Sequence, residues 1–399
     1  MLRVAAASFS IAFFTFSVST AQVLPETKVC KPTTSAKLRD ANCNQCNTGP
    51  LSTRGSFTEL VNKVRARRRV FEEVDSRLIE KAVTDSQVAD LLKGENLARS
   101  LYGSDADFIA DGNGSRCLQR DNEFARSRAI AFPCEKIPRE GLAVLLTAGQ
   151  SNISNTGARD PSTKQLYEPH NVFYAFNRFD GKCYIASNPA LGTLGDGENV
   201  AVRLGDDLID RKIYKHVLIA PVAISGTYLE EWRPRGGKYF EVLLSAIGGL
   251  RDFNLEITAV LWHQGEYNAS AFATSRAEDG TKLEITSAMK EAGRLSYIRN
   301  YMEIIAGIRA ADVQGPIFIA TATICGTDPE PIIRSAQMSL PNESLGINAG
   351  PDTDRIRGPM RYDGCHMTHD GTNEHAKMWA DKLSDYSESQ RRIDAHKKP

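Results

Sequence analysis

The chain has 399 residues, 41% hydrophobic and 25% charged, which suits a globular protein with a real core and room for one large domain or two. Lys+Arg and Asp+Glu both number 49, so the formal net charge is zero. Such a balance gives no general attraction to nucleic acid or anionic lipid and removes both from the expected partners.

Met1-Leu2-Arg3 supplies a positive start, residues 4–18 are apolar or small, and Ser19-Thr20-Ala21 offers small residues before Gln22. This layout predicts a secretory signal peptide over 1–21, too short to span a membrane. The mature chain is therefore expected to be secreted or periplasmic and not inserted in a membrane. All eight cysteines lie beyond that segment, at 30, 43, 46, 117, 134, 183, 325 and 365. An even number in an exported chain favours disulfides. Cys43-Asn44-Gln45-Cys46 also fits half of a zinc site, but no second closely spaced pair accompanies it.

Residues 22–55 read as an irregular, cross-linked leader, and Phe57 to Leu101 follows helical spacing. Arg65-Ala66-Arg67-Arg68-Arg69 lies in that stretch and reads as a solvated face. Residues 105–140 are polar and loop-like and carry a glycosylation sequon at Asn113-Gly114-Ser115. Together, 22–140 form a Cys-containing, partly helical N-terminal region.

After Gly141 come five short apolar runs: Ala143–Thr147, Val217–Val222, Ile257–Trp262, Ile317–Ala322 and Leu345–Ala349. Helical patterns lie between most of them, at Val200–Ile209, Tyr239–Leu250 and Tyr297–Ala311, and Glu374–Tyr386 closes the series. Apolar strands alternating with helices predict an α/β fold: a three-layer α/β/α, flavodoxin-like domain over 141–386 with a five-stranded parallel sheet. Residues 387–399 form a charged tail.

Polar residues collect where the runs end. The first ends in Gly149-Gln150-Ser151-Asn152, and the second leads into Ile224-Ser225-Gly226-Thr227 and Glu230-Glu231-Trp232. The third ends in Trp262-His263-Gln264-Gly265-Glu266, and beyond the fifth comes Asp363-Gly364-Cys365-His366. A parallel sheet places all of these on one edge. A serine hydroxyl needs an imidazole to take its proton, and a carboxylate three residues from a histidine can hold that ring in the right tautomer. Ser151, His366 and Asp363 are thus the candidate nucleophile, base and orienter. The backbone N–H groups of Ser151 and Gly226 and the Gln264 amide are candidate oxyanion donors.

These blocks resemble the signatures of the SGNH hydrolase superfamily, in its sialate O-acetylesterase-like and acetylxylan-esterase-like branch of carbohydrate esterases. Pro221-Val222-Ala223-Ile224-Ser225-Gly226, with Trp232 after it, resembles that branch's glycine block. The resemblance implies a metal- and cofactor-free serine esterase that removes acetyl groups from a carbohydrate, an O-acetylated glycan or sialate-like sugar, through an acyl-enzyme. Gln264 stands where the superfamily's name places an asparagine, and Ser225 stands where relatives often have a second glycine.

Asn152, Trp232 and Glu266 are candidate substrate contacts, and Trp232, Trp262 and Tyr228 are equally good as sugar platforms or core residues. Glu266 fits either a positioning role or a bond to a sugar hydroxyl. His366, His369, Asp370 and His375 invite a metal reading, without a helical zinc motif to support it. Gly192-Thr193-Leu194-Gly195-Asp196-Gly197 lacks a P-loop lysine and reads as a surface turn. Cys325 and Cys365 follow neighbouring strands and are expected to be bonded, bracing the loop of Asp363 and His366. Two alternatives stay open: an esterase or lipase on small lipid or aryl esters, and a catalytically silent carbohydrate-binding protein, against which the intact polar set argues.

Overall fold

The computed structural model describes residues 59–60, 123–234, 237–273 and 286–397. The signal peptide, the cysteines at 30, 43, 46 and 117, and nearly all of the helical stretch 57–101 lie outside them. Among the described residues one sheet has eight strands: β1 (Ala131–Phe132), β2 (Leu142–Gly149), β3 (Tyr174–Asn177), β4 (Lys182–Ile185), β5 (His216–Ala223), β6 (Ala259–His263), β7 (Ile317–Thr321) and β8 (Ile347–Asp352). Their order is β1-β4-β3-β5-β2-β6-β7-β8. The five expected strands form the parallel series β5-β2-β6-β7-β8 in the flavodoxin-like arrangement.

The other three strands enlarge the sheet beyond the expected five. β3 runs parallel to β5, whereas β4 pairs antiparallel with β3 and β1 antiparallel with β4. The Asp180-Gly181 turn makes the β3–β4 hairpin, with Gly181 at φ +66°. A disulfide from Cys134 to Cys183 fastens β4 to the segment after β1. The sheet therefore starts N-terminal to the expected boundary at 141.

The helices are α1 (Glu123–Arg128), α2 (Val200–Asp210), α3 (Phe240–Arg251), α4 (Glu266–Ala273), α5 (Ser287–Ala310), α6 (Pro331–Ser339) and α7 (His369–Lys397). Several have explicit start signals. The Asn199 side chain caps α2 through Ala201 N–H, and Glu330 caps α6 just before Pro331. α7 continues through most of the expected tail.

Side-chain alternation along β2 divides the core. Ala143 and Leu145 join Leu204 and Leu208 of α2 and Trp379 and Leu383 of α7 on one face. Val144, Leu146 and Ala148 join Leu243 and Ile247 of α3, Ile304 and Ile308 of α5 and Ile333 of α6 on the other. Both faces are covered, which is why the central strands β2, β5, β6 and β7 read as apolar runs. β8 starts at Ile347 rather than Leu345, because Glu343–Leu345 makes a short turn closed by Gly346 at φ +63°.

At the carboxyl edge β2 and β6 come very close. Gly149 has φ +133°, and a Cβ there would stand 1.9 Å from the His263 carbonyl oxygen. Glycine is obligatory at that point. Gly149→Ala is expected to cost roughly 2–6 kcal/mol, from backbone strain plus overpacking. Denaturant unfolding measures it, and a midpoint equal to the parent's would refute the close approach.

Candidate active site

Ser151 opens a single 3-10 turn, Ser151–Ile153, directly after β2 and is only 4% exposed. Gln150 is held on both sides: its N–H donates to the His263 carbonyl, and its Oε1 accepts from the N–H groups of Gly265 and Tyr267. The turn is thereby fastened to the end of β6 and the start of α4. The Ser151 and Gly226 N–H groups have no hydrogen-bond partner among the described residues. Gly226 has φ +66° and is exposed, with nothing within 4 Å of where a Cβ would be.

On the loop after β8, His366 Nδ1 lies 2.7 Å from Asp363 Oδ2. Asp363 Oδ1 accepts from the backbone N–H of His366 at 2.6 Å and of Cys365 at 2.9 Å. Burial works to raise the Asp363 carboxyl, but the bonds from the His366 ring and the two N–H groups outweigh it and hold the acid below its ordinary range. Nδ1 is the end of the imidazole that faces the carboxylate, which leaves Nε2 for proton transfer. No hydrogen bond joins the Ser151 hydroxyl to His366 among the described residues.

The two loops are joined through Asn152. Its Nδ2 donates to Glu266 Oε1 at 2.8 Å and to the Cys365 carbonyl at 3.2 Å. A second route runs through Tyr362, whose ring stacks on His366 at 5.9 Å and whose hydroxyl donates to the Thr156 carbonyl. Thr156 Oγ1 in turn donates to the Ser151 carbonyl at 2.6 Å. The topology thus brings Ser151, Gly226, Asp363 and His366 to one edge, as the sequence predicts.

Four expected contacts are turned elsewhere. Gln264 is fully buried; its Nε2 donates to Thr227 O at 3.0 Å and Asn268 Oδ1 at 2.6 Å, while its Oε1 accepts from the Tyr297 hydroxyl at 3.0 Å. Asn268 Oδ1 also accepts from Leu229 N–H, which fixes the direction of both amides. Both Gln264 hydrogens are therefore occupied, and the expected oxyanion role is corrected to that of a stitch between the loops after β5 and β6. Trp232 is 0% exposed and packs against Trp262, itself buried, with Nε1 donating to Thr227 Oγ1. Neither indole is open to a sugar. Asn152 and Glu266 are buried and bonded to each other rather than presented to substrate.

Glu266 has no exposed surface, and His263 Nε2 lies 2.7 Å from its Oε1. Burial pushes its carboxyl up, but the His263 imidazole and the Asn152 amide prevail and hold it at about 2. His366, His369 and His375 face three different partners: Asp363, Glu198 and Trp379 Nε1. The Gly192–Gly197 turn packs against the segment after Ser151, with Gly195 too close to Asn155 O, and Gly197 too close to Gly157 O, to bear a Cβ. It buttresses the serine loop.

Sequence reasoning missed Arg361, which is 5% exposed and donates to the carbonyls of Thr353, Ile356, Ile324 and Cys365. It also missed Tyr267 and Tyr362. A lone arginine two residues before Asp363 carries no recognisable pattern, because its partners are all backbone carbonyls. The disulfide Cys325–Cys365 is present as expected and reinforces the same loop.

A family model for carbohydrate esterases, sialic acid-specific acetylesterases, matches residues 141–385. The chain belongs to this family. Solved structures similar to it include a protein from Arabidopsis thaliana at 18% identity, covering 62% of this chain and 98% of that one, with a TM-score of 0.47. A carbohydrate acetylesterase from Xanthomonas citri matches at 16% identity, 60% and 54% coverage and a TM-score of 0.39. A catalytic mutant of an acetylxylan esterase from Geobacillus stearothermophilus matches at 12% identity, 60% and 94% coverage and a TM-score of 0.36. No curated sequence matches the chain.

Two outcomes test this reading of the site. Gln264→Ala should lower the denaturation midpoint clearly, since it leaves the buried Thr227 O without its donor, at about 1–3 kcal/mol, and removes one bond each from Asn268 and Tyr297. An unchanged midpoint with a large loss of kcat would restore Gln264 as an oxyanion donor. Glu266 gives a pH test. Its folded value of about 2 lies below the ordinary 4.5, so its contribution is present above about 4.5 and fades as pH falls toward 2. The melting temperature of Glu266→Gln should therefore start lower and fall less steeply than the parent's across that window.

Proposed function

We propose that this family member is an exported serine esterase that removes acetyl groups from a carbohydrate through an acyl-enzyme. The observation that carries it is the hydrogen-bonded Asp363–His366 pair on the same sheet edge as Ser151, joined to the serine turn through Asn152, with the Ser151 and Gly226 N–H groups unpartnered among the described residues.

Ser151 Oγ attacks the acetyl carbonyl carbon while His366 Nε2 takes its proton. Asp363 accepts from Nδ1–H, which holds the ring in that tautomer and stabilises the imidazolium. The negative charge moves to the carbonyl oxygen, where the N–H groups of Ser151 and Gly226 donate to it. The tetrahedral intermediate collapses, His366 gives its proton to the sugar oxygen, and the deacetylated sugar leaves. A water, deprotonated by His366, then attacks acetyl-Ser151, and His366 returns the proton to Ser151 Oγ as the acyl bond breaks and acetate leaves. Among substrates, an O-acetylated glycan or a sialate-like sugar fits the family best. The two disulfides among the described residues support an oxidising compartment.

Acetate release from a panel of acetylated glycans tests the activity. Ser151→Ala and His366→Ala should each lower turnover on the order of a thousandfold or more, because triad members act as a unit. Ser151→Ala should keep the parent's melting temperature. Turnover retained by Ser151→Ala would overturn the mechanism.

A further inference from the structure

With both tryptophans buried, a sugar has to find another aromatic surface at the carboxyl edge. Tyr228 follows Gly226 by two residues, on the loop after β5. Tyr267 is the second residue of α4, after β6. Their rings meet at 4.4 Å between centroids with 46° between planes. Tyr267 remains 40% exposed, and Tyr228 is half-buried beneath it. Tyr362, also exposed, already covers the His366 ring with one face.

The pair is fixed by its backbone. Tyr228 N–H donates to Glu231 Oε2 at 2.8 Å, and Tyr267 N–H donates to Gln150 Oε1, next to the nucleophile. Between them run the Gln264 bonds to Thr227 and Asn268, and the Asn268 bond to Leu229 N–H. The loop bearing Gly226 and the helix bearing Tyr267 therefore cannot move apart without breaking buried bonds. An aromatic side chain left exposed but rigidly placed loses little further entropy when a ligand covers it.

We propose that Tyr267, supported by Tyr228, is a stacking platform for a pyranose ring of the acetylated substrate. This rests on the esterase reading only for the fate of the acetyl group; the platform itself is a binding site. The C–H groups on the apolar face of a pyranose carry partial positive charge and match the negative face of a phenol ring, while the ring hydroxyls stay hydrated. The platform acts on the sugar, so it sets affinity for a glycan ester over an ester that lacks a sugar.

The test separates the two readings. In a Ser151→Ala background, calorimetry follows binding of partially O-acetylated xylotetraose and of O-acetylated N-acetylneuraminic acid. Tyr267→Ala should weaken binding of whichever sugar binds by about tenfold, and Tyr267→Phe should stay close to the parent, since the ring is kept. Failure of both sugars to bind, equal affinity of Tyr267→Ala and parent, or a Tyr267→Phe loss as large as that of alanine would each overturn the platform. With Ser151 intact, Tyr267→Ala should lose about tenfold more kcat/KM on the bound sugar ester than on 4-nitrophenyl acetate, and mainly through KM. Equal losses on the two esters would mark Tyr267 as structural and overturn the proposal. Tyr267-dependent sugar binding by a protein that hydrolyses neither ester would defeat the esterase reading and leave the platform standing.

Discussion

A buried carboxylate holds the edge of this sheet together. Glu266 lies between the His263 ring and the Asn152 amide, with no surface open to water. Asn152 spends its other hydrogen on Cys365 O, so one side chain of the serine turn reaches the loops after both β6 and β8. A carboxylate in such a place is costly to bury and is tolerated only when its partners are well placed. That cost makes the arrangement specific. Displacing the serine turn would take one of its two donors from Glu266 and the Asn152 bond from Cys365 O, so buried bonds tie the turn to both loops.

The same economy explains Gln264. A glutamine at the end of a central strand invites a catalytic reading, because the neighbouring residues are polar and the edge carries the candidate site. Its amide instead joins Thr227 to Asn268 and receives the Tyr297 hydroxyl. Every polar end is paired, which is the condition for burying an amide at all. In the proposed mechanism charge stabilisation falls to backbone: the N–H groups of Ser151 and Gly226, which have no partner among the described residues. Backbone donors suit that task, since their direction is set by the turn rather than by a rotamer.

How much of this was legible in the sequence depends on which physical quantity carries it. The five parallel strands were legible because burial on both faces turns each into an apolar run, and their order placed Ser151, Gly226, Asp363 and His366 on one edge. Strand adjacency likewise made the Cys325–Cys365 bond legible. β3 and β4 were not, being four residues each with polar ends, although the Asp180-Gly181 turn between them was a usable signal. β1 has two residues and is recognisable only by what it pairs with. Side-chain direction was beyond reach altogether. Trp232 and Tyr267 are both aromatic residues near the edge, and only packing makes one a core residue and the other a surface.

The histidine loop shows why so much of the structure serves backbone rather than side chains. The Asp363 side chain is 41% exposed and that of His366 25%, and a partly solvated pair of this kind contributes only about 0–1 kcal/mol by itself. It cannot hold a loop in place. The loop is held instead from behind: Arg361 gathers four carbonyls, the disulfide joins Cys365 to Cys325, and Gly326 N–H donates to Gly364 O. Gly364 at φ +77° lets the chain turn sharply between Asp363 and Cys365, so that both following N–H groups converge on one carboxylate oxygen. The other oxygen, Oδ2, faces the imidazole at 2.7 Å, while the side chain stays partly open to solvent. The rigidity that orients His366 is thus built into the backbone contacts of the loop rather than into the partly solvated pair itself.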